Sequence, residues 1–327
     1  MAKICGYTLS LLAILCVVPL LEARAAQGAP SANLLVSDTA GRIQAFTTDG
    51  TFIEALVTTV PAPRRFMPTF IVAGVAAFWV TDGGNNQIDE FDEHGNLIAK
   101  IGAADNAFGG FRRPEGIAVD AEANLWVVDA LNCRIYEFDV NGHYKSQFGS
   151  CGSGRGEFAN PAGIAVDHRG FLFIIDRGNN RIEEFDTTGG YITEFGARGV
   201  TTYTSTIYLK ELWYTFTGKA LFDSPQGIAI DKNDNIWVTD EGNSRIEKLD
   251  HNGQLLGTFG LPGNAPGHLK TPTGITIDPS GNVWVVDSLA ARVTEFSNDG
   301  SFITEFGSFG QGAGQFISPY GIALVTR

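Results

Sequence analysis

Segment 127–139, VVDALNCRIYEFD, places an aspartate, an asparagine, a cysteine and an arginine close together. A carboxylate, a thiol and a guanidinium in one short segment are groups from which active sites are built. The same pattern recurs in segments that begin at Val80, Ile174, Val238 and Val285, and in a shorter form at Val36. A catalytic group is needed once, whereas a structural group is needed in every copy. Asp129, Asn132 and Arg134 are therefore interpreted as parts of a repeated scaffold.

The full repeat is longer and runs from a Pro-x-Gly to a Phe-Gly, as in residues 113–149. It contains four short strand-like segments, here named a to d: GIAV, LWVV, RIYEF and YKSQF. The links between them contain Asp, Asn and Gly, which favour hairpin turns. The glycine of Pro-x-Gly recurs, at intervals of 47, 64, 47 and 47 residues, at Gly116, Gly163, Gly227, Gly274 and Gly321. Four strands in a repeat of this length predict a β-propeller blade.

Two repeated positions have a predicted structural role. Asp129 and its equivalents end strand b, where the carboxylate can accept hydrogen bonds from loop amides. The arginine five residues later is expected to pair with that carboxylate or with loop carbonyls. Four copies have a tryptophan at the same position of strand b: Trp79, Trp126, Trp237 and Trp284. Together with the Phe of strand c, these tryptophans are expected to pack between neighbouring blades.

The two ends of the chain complete one another. The C-terminal GIALVTR matches strand a without a following strand b, and NLLVSD, residues 33–38, matches strand b without a preceding strand a. One blade is therefore predicted from 321–327 and 33–58, and it closes the ring and removes its open edges. The other blades are predicted at 68–102, 114–149, 161–196, 225–260 and 272–307. The predicted fold is an all-β, six-bladed propeller of four-stranded antiparallel blades.

The N-terminal segment resembles an export signal. Lys3 is followed by an apolar run over residues 8–21 and by Ala-Arg-Ala at 23–25, so residues 1–25 are predicted to be a cleaved signal peptide. An uncleaved membrane anchor is the alternative. The prediction is a periplasmic or extracellular monomer without stable membrane insertion after cleavage. The net charge of −13 and the pI near 4.8 argue against binding of nucleic acid.

The strings P-x-G-I-A-V-D, L-W-V-V-D, N-x-R-I-x-E-F-D and F-G, in this order and spacing, closely resemble the NHL repeat. The resemblance covers nearly all of the chain after the signal segment and implies a six-bladed propeller. It implies three functional models: RNA binding on a basic face, extracellular sensing or interaction, and a zinc lyase. The acidity of this chain disfavours the first of these models.

The third model rests on the peptidyl-hydroxyglycine amidating lyases, a related group that holds zinc with histidines near the Pro-x-Gly positions. None of the x positions in this chain is a histidine; they hold Thr69, Glu115, Ala162, Gln226, Thr273 and Tyr320. Four of the five histidines are expected in turns on the opposite, lower face, and only His268 in an upper loop. Three convergent imidazoles are therefore not expected.

Two regions of the upper face, which carries the d–a and b–c loops, are candidate binding sites. The first is the ring of x residues, where Glu115, Gln226, Thr273 and Tyr320 either contact a small molecule or ion or line a hydrated channel. The second is the insertion 197–222, which is rich in aromatic residues and includes Tyr208, Trp213 and Tyr214. It either contacts a partner or plugs the channel mouth.

Cys133 begins strand c, and Cys151 lies just beyond strand d. If DVNG, residues 139–142, closes the c–d hairpin, the ladder brings Cys133 beside residues 150–151. Exported proteins usually oxidise such pairs, so a disulfide is predicted.

The favoured function is a binding or scaffold module for a protein, a peptide or a glycan, recognised on the upper face. The alternative is a metal-dependent propeller lyase or hydrolase that uses Glu115 and a metal in the central channel. No cofactor is predicted, although a channel-bound calcium ion is compatible with the sequence.

Overall fold

The architecture is a ring of four-stranded sheets, seen in a computed structural model that describes residues 33–57, 66–74, 77–102, 108–198 and 220–325. Blade 1 contains β1 (Asn33–Asp38), β2 (Arg42–Thr47) and β3 (Phe52–Val57). Blade 2 contains β4 (Pro68–Ala73), β5 (Ala77–Asp82), β6 (Gln87–Asp92) and β7 (Leu97–Ile101). Blade 3 contains β8 (Pro114–Val119), β9 (Leu125–Asp129), β10 (Arg134–Phe138) and β11 (Tyr144–Phe148).

The second half of the chain repeats this arrangement. Six short strands described in the links lie outside the blades, and the first three are β12 (Ser150–Cys151), β13 (Glu157–Phe158) and β18 (Ala197–Arg198). Blade 4 contains β14 (Ile164–Val166), β15 (Leu172–Asp176), β16 (Arg181–Phe185) and β17 (Tyr191–Phe195). After β19 (Leu221–Phe222), blade 5 contains β20 (Pro225–Ile230), β21 (Ile236–Asp240), β22 (Arg245–Leu249) and β23 (Leu255–Phe259). After β24 (Leu261–Pro262) and β25 (His268–Leu269), blade 6 contains β26 (Pro272–Ile277), β27 (Val283–Asp287), β28 (Arg292–Phe296) and β29 (Phe302–Phe306).

The last strand, β30 (Pro319–Val325), belongs to blade 1 and closes the ring. It pairs antiparallel with β1, so that Leu34 lies opposite Leu324 and Val36 opposite Ile322. This confirms the predicted shared blade, although its strand a begins at Pro319, before the glycine at which the sequence placed it. The innermost strands contact one another in the closed order β30, β4, β8, β14, β20, β26 and back to β30. Six blades therefore surround one central channel.

The d–a links contain a feature that the sequence did not indicate. In three of them, two short strands pair in parallel: β12 with β13, β18 with β19, and β24 with β25. A single bridge from Phe309 to Phe316 repeats this contact before blade 1. The three links that the structure describes throughout, 149–160, 260–271 and 307–318, therefore each close on themselves through this contact.

The tryptophans of strand b pack between blades, as predicted. Trp126 is fully buried in a cluster that includes Ile164 and Phe185 of the next blade. Three of the four indole N–H groups donate to an aspartate just after strand a, as Trp126 does to Asp120 at 3.0 Å. Trp79 has no such acceptor among the described residues, because Gly74 replaces the aspartate in blade 2.

The aspartate that ends strand b anchors the link that precedes its own blade. Asp176 accepts the Ala159 backbone N–H at 2.7 Å and the Asn179 side chain at 2.6 Å. Arg181 completes the contact with its Nε at 2.9 Å from the carboxylate. The predicted acid–arginine pair is confirmed in blades 1, 4, 5 and 6.

In blade 3, from which the pattern was first recognised, the predicted pair is not formed. Asp129 accepts the Arg112 backbone N–H and the Asn132 side chain, and Arg134 makes no ion pair with any described residue. Tyr136 occupies the position where blades 4 and 5 have Glu183 and Glu247, which also pair with the arginine of their blade.

Within the described ranges, no helix has the length and hydropathy that a membrane span requires.

Candidate functional site

Six polar and charged side chains meet where the central channel opens on the upper face. They come from three repeat positions: the residue before the proline, the x of Pro-x-Gly, and the residue after the strand-ending aspartate. Strands β8, β20 and β30 supply the x residues, and the adjoining loops supply the others. We call this group the channel mouth, and it consists of Arg113, Glu115, Arg177, Gln226, Glu241 and Tyr320.

Gln226 is the centre of the channel mouth and is fully buried. Its side-chain N–H donates to the Tyr320 hydroxyl oxygen at 2.6 Å and, at 3.3 Å, to Oε2 of Glu115. Its side-chain carbonyl accepts a hydrogen bond from Nη1 of Arg177 at 2.5 Å. One amide therefore connects blades 3, 4 and 5 with the closing strand.

Arg113 and Glu115 form the first charged pair of the channel mouth. Nε of Arg113 donates a hydrogen bond to Oε1 of Glu115 at 2.8 Å, and Nη2 of Arg113 lies 2.7 Å from the same oxygen. A second Nη2 hydrogen bond goes to the side chain of Asn160 at 3.0 Å. Arg113 has a positive φ of 64°, and φ is also positive at Asn160 and Ser224, at the equivalent position of the next two blades. Oε1 of Glu115 is thus satisfied, whereas Oε2 has only long contacts.

Tyr320 faces all the charges of the channel mouth. Burial raises the pKa of its phenol, and the negative charge of Glu115 acts in the same direction. The phenol therefore remains protonated at any physiological pH and acts as a hydrogen-bond donor. Because Gln226 donates to its oxygen, its proton is directed elsewhere, and Oε2 of Glu115 lies 3.5 Å away. Phe70 packs edge-on against the ring, with 5.6 Å between centroids.

Glu241 follows the strand-ending aspartate of blade 5, just as Arg177 follows that of blade 4. Burial raises the pKa of the Glu241 carboxyl, while the positive charge of Arg177 acts in the opposite direction. No hydrogen bond or ion pair joins the Glu241 carboxylate to another residue in the described part of the chain. The carboxylate is therefore near a charge of opposite sign without contacting it.

Of the residues that the sequence selected, Glu115, Gln226 and Tyr320 come together, but Thr273 serves the backbone. The Thr273 hydroxyl donates to the Tyr320 carbonyl at 2.9 Å, and its own carbonyl accepts from Thr239 at 2.7 Å. Whether these four residues contact a ligand remains a prediction. Tyr208, Trp213 and Tyr214 lie outside the described residues.

The predicted disulfide is confirmed. Sγ of Cys133 lies 2.10 Å from Sγ of Cys151, and the two Cα atoms are 5.0 Å apart.

Sequence reasoning missed Arg113, Arg177 and Glu241, although a signal for them exists. It compared the x positions between copies but not the residues before the proline or after the aspartate. At those two positions the other copies have uncharged residues, such as Asn160 and Ser288.

The channel mouth contains no cluster typical of a metal centre. Among the residues that the structure describes, no three His, Cys, Asp or Glu side chains come together in a way that holds a metal ion. The described histidines lie elsewhere, with His143 and His168 paired to aspartates of turns and His268 in the link before blade 6.

Comparison with known proteins supports the architecture. A family described as a 6-bladed beta-propeller matches residues 119–217, and the NHL repeat matches residues 222–249. No curated protein matches the chain by sequence.

Solved structures share the fold at low sequence identity. The chain is similar to a streptogramin B lyase (16% identity, TM-score 0.57, 91% of this chain and 88% of that chain). It is similar to a chain of a nidogen/laminin complex (19%, 0.65, 90% and 98%). It is also similar to a catalytically inactive histidine-to-alanine variant of virginiamycin B lyase from Staphylococcus aureus with quinupristin (15%, 0.54, 85% and 85%). At these identities the similarity establishes the fold alone.

The six blades and the closure by β30 make this chain a six-bladed β-propeller, in which residues 222–249 match the NHL repeat.

Proposed function

We propose that the chain is an exported, monomeric binding module that recognises a protein, a peptide or a glycan on its upper face. The channel mouth carries this proposal. Its charged groups occupy positions where the other copies are uncharged, so the requirements of the fold do not account for them. Partly buried charges lower the free energy of unfolding unless they are paired, and groups of this kind are concentrated at binding sites.

Two observations support export. The N-terminal segment has the pattern of a signal peptide, and the disulfide between Cys133 and Cys151 is typical of an oxidising compartment. The nidogen of the nidogen/laminin complex has the same fold and is there bound to a protein, which makes a protein ligand a reasonable candidate here.

The test is capture of ligand from the exported fraction of the source cells. Immobilised wild-type protein is compared with the double variant Arg177→Gln/Glu241→Gln, and with a lower-face control, Glu122→Gln, whose side chain is exposed. We expect a ligand that the wild type and the control retain and the double variant loses. Equal capture by all three proteins would contradict recognition at the channel mouth. A deletion of residues 200–216 tests the contribution of the insertion separately.

The second candidate is a metal-dependent propeller lyase or hydrolase, favoured by the similarity to two lyases. Against it, Glu115 already pairs with Arg113, so it lacks the free carboxylate that a general base needs. Elemental analysis of the purified protein separates the two candidates. Stoichiometric calcium or zinc that is lost in a Glu115→Gln variant would favour the enzyme.

A further inference from the structure

Arg177 and Glu241 occupy equivalent positions on neighbouring blades. Each follows the aspartate that ends strand b and opens a short 3-10 turn, Arg177–Asn179 in blade 4 and Glu241–Asn243 in blade 5. Both side chains are partly exposed. Neither forms an ion pair with any residue in the described ranges. Two opposite charges therefore lie on neighbouring blades without forming an ion pair.

Gln226 explains why they do not meet. Its side-chain carbonyl holds Nη1 of Arg177 at 2.5 Å, and its N–H group holds the Tyr320 hydroxyl at 2.6 Å. This arrangement commits one N–H of Arg177 and leaves the rest of its guanidinium donors without a partner in the described structure. A guanidinium positioned in this way is suited to a carboxylate, which it can bind through two parallel hydrogen bonds.

The side-chain nitrogen of Gln226 faces a carboxylate oxygen, Oε2 of Glu115. Oε2 of Glu115 has only the contacts of 3.3 and 3.5 Å to Gln226 and Tyr320, which are at or beyond the normal hydrogen-bond range. Glu241 adds a second carboxylate. An ammonium group has three N–H donors and no acceptor, so two carboxylates can each accept one of its hydrogen bonds.

We propose that the channel mouth binds a small zwitterion, with its ammonium group between Glu241 and Glu115 and its carboxylate on Arg177 and the Tyr320 hydroxyl. A free α-amino acid and a short peptide with two free ends both carry this chemistry. The proposal rests on the channel mouth being the binding site of the proposed function, and it adds the chemical class of the ligand.

The balance of charge selects a zwitterion over other ligands. Arg113 and Glu115 compensate each other at 2.7 Å, which leaves one positive and one negative charge to be matched. A simple anion would pair with Arg177 but leave Glu241 uncompensated, and a simple cation would do the reverse. A neutral sugar would leave Arg177 and Glu241 without an ion pair in a partly buried site, where an unpaired charge is costly.

Calorimetric titration of the full exported chain tests the proposal. The probes are each of the standard amino acids, L-alanyl-L-alanine, N-acetyl-L-alanyl-L-alanine and L-alanyl-L-alanine amide. We expect an amino acid or the free dipeptide to bind, and the member that binds identifies the source of the zwitterion. If the dipeptide binds, blocking either end should weaken binding about tenfold or more.

Single-site variants assign the two ends. Arg177→Gln and Glu241→Gln should each weaken binding of the zwitterion about tenfold or more. If a blocked dipeptide still binds measurably, its binding should be weakened only by the substitution of the residue that contacts its free end. The matched controls are Arg155→Gln, an exposed arginine in the link before blade 4, and Glu122→Gln, an exposed glutamate of the lower face. Both controls should bind as the wild type does.

The proposal is overturned if no probe binds, or if the blocked peptides bind as tightly as the free one. If the titration fails in this way but ligand capture still depends on Arg177 and Glu241, the proposed function is retained. Failure of both experiments would remove the site itself.

Discussion

At the residue scale, the last position of the b–c loop shows how one substitution changes a blade contact. The backbone there is left-handed, with φ between 52° and 55°, at Asn86, Cys133, Asn180, Ser244 and Ala291. Asparagine tolerates this conformation, and the Asn180 side chain accepts the backbone N–H of Ser224, the residue before the proline of the next blade. Cys133 has no such acceptor and forms the bond to Cys151 instead. A covalent link thus replaces an inter-blade hydrogen bond.

The disulfide should contribute measurably to stability. It closes a loop between residues separated by 18 positions. Cross-linking a loop of that size restricts the unfolded chain and contributes about 3 kcal/mol to the free energy of unfolding. We expect a Cys133→Ser/Cys151→Ser variant to lose about this amount in urea denaturation. The wild type treated with a reductant should match the variant, and the variant should not respond to the reductant.

A buried carboxyl group in strand c makes stability depend on pH. Asp89 is fully buried, its Oδ2 has no hydrogen-bond partner among the described residues, and burial raises its pKa to about 7. The negative charge of Asp82 acts in the same direction. An unfolded aspartate has a pKa of about 4, so the folded protein binds more protons between these values. Its contribution to stability is present at low pH and is lost as the pH rises through 7.

An Asp89→Asn variant tests this account. It should remove part of the fall in stability between pH 5 and pH 8. From pH 5 to pH 8 the stability of the variant relative to the wild type should rise by about 2 kcal/mol. Urea denaturation at both values is the measurement, with the exposed Glu54→Gln as control. A constant difference at the two pH values would show that ionisation of Asp89 is not its cause.

At the element scale, in blades 1, 4, 5 and 6 the arginine that begins strand c holds the d–a link that precedes the blade. Arg181 donates through Nη2 to the carbonyls of Gly154 and Glu157, at 2.7 and 2.8 Å. The same guanidinium pairs with three carboxylates, of which Asp176 and Glu183 are fully buried. These contacts fix the link 149–160 over blade 4.

Removing this arginine should be costly where its partners are buried. We expect Arg181→Met to lower the free energy of unfolding by about 3 kcal/mol, because Asp176 and Glu183 would be left as uncompensated buried charges. Arg134→Met is the matched control: it changes the same position in blade 3, where the arginine has no ion pair with any described residue. Its effect should stay within about 0.5 kcal/mol. Equal losses from the two variants, in parallel urea denaturations, would refute this role of the ion pairs.

The strands themselves were predictable from the sequence, whereas the channel mouth was only partly so. The strands follow from a pattern that five copies repeat, and averaging over copies removes local ambiguity. The channel mouth consists of side chains that differ from those at the same positions of the other copies. Which of them contact one another depends on which blades the closed ring brings together. Glu115 was found because its position was compared between copies, but its pairing with Arg113 depends on the left-handed backbone at Arg113. The parallel contacts of the links were not predicted, although a G-x-x-x-G-x-Phe or Leu segment recurs there, at residues 152–158, 263–269 and 310–316.

At the scale of the whole molecule, closure of the ring and formation of the channel mouth are the same event. Tyr320 lies on β30, the strand that completes blade 1, and Gln226 lies on β20 of blade 5. Their hydrogen bond joins residues 94 positions apart. An open chain of blades would not bring these two side chains together. The central claim is that the closed ring places them in contact and so assembles the site.

A double-mutant cycle between these two residues tests that claim most directly. Tyr320→Phe removes the hydroxyl, Gln226→Leu removes the amide, and the double variant removes both, with the free energy of unfolding measured for all four proteins. We expect a coupling energy of about 1 kcal/mol, the usual contribution of one buried hydrogen bond. Effects of the two single substitutions that simply add would mean that Tyr320 and Gln226 do not meet, and would contradict the account.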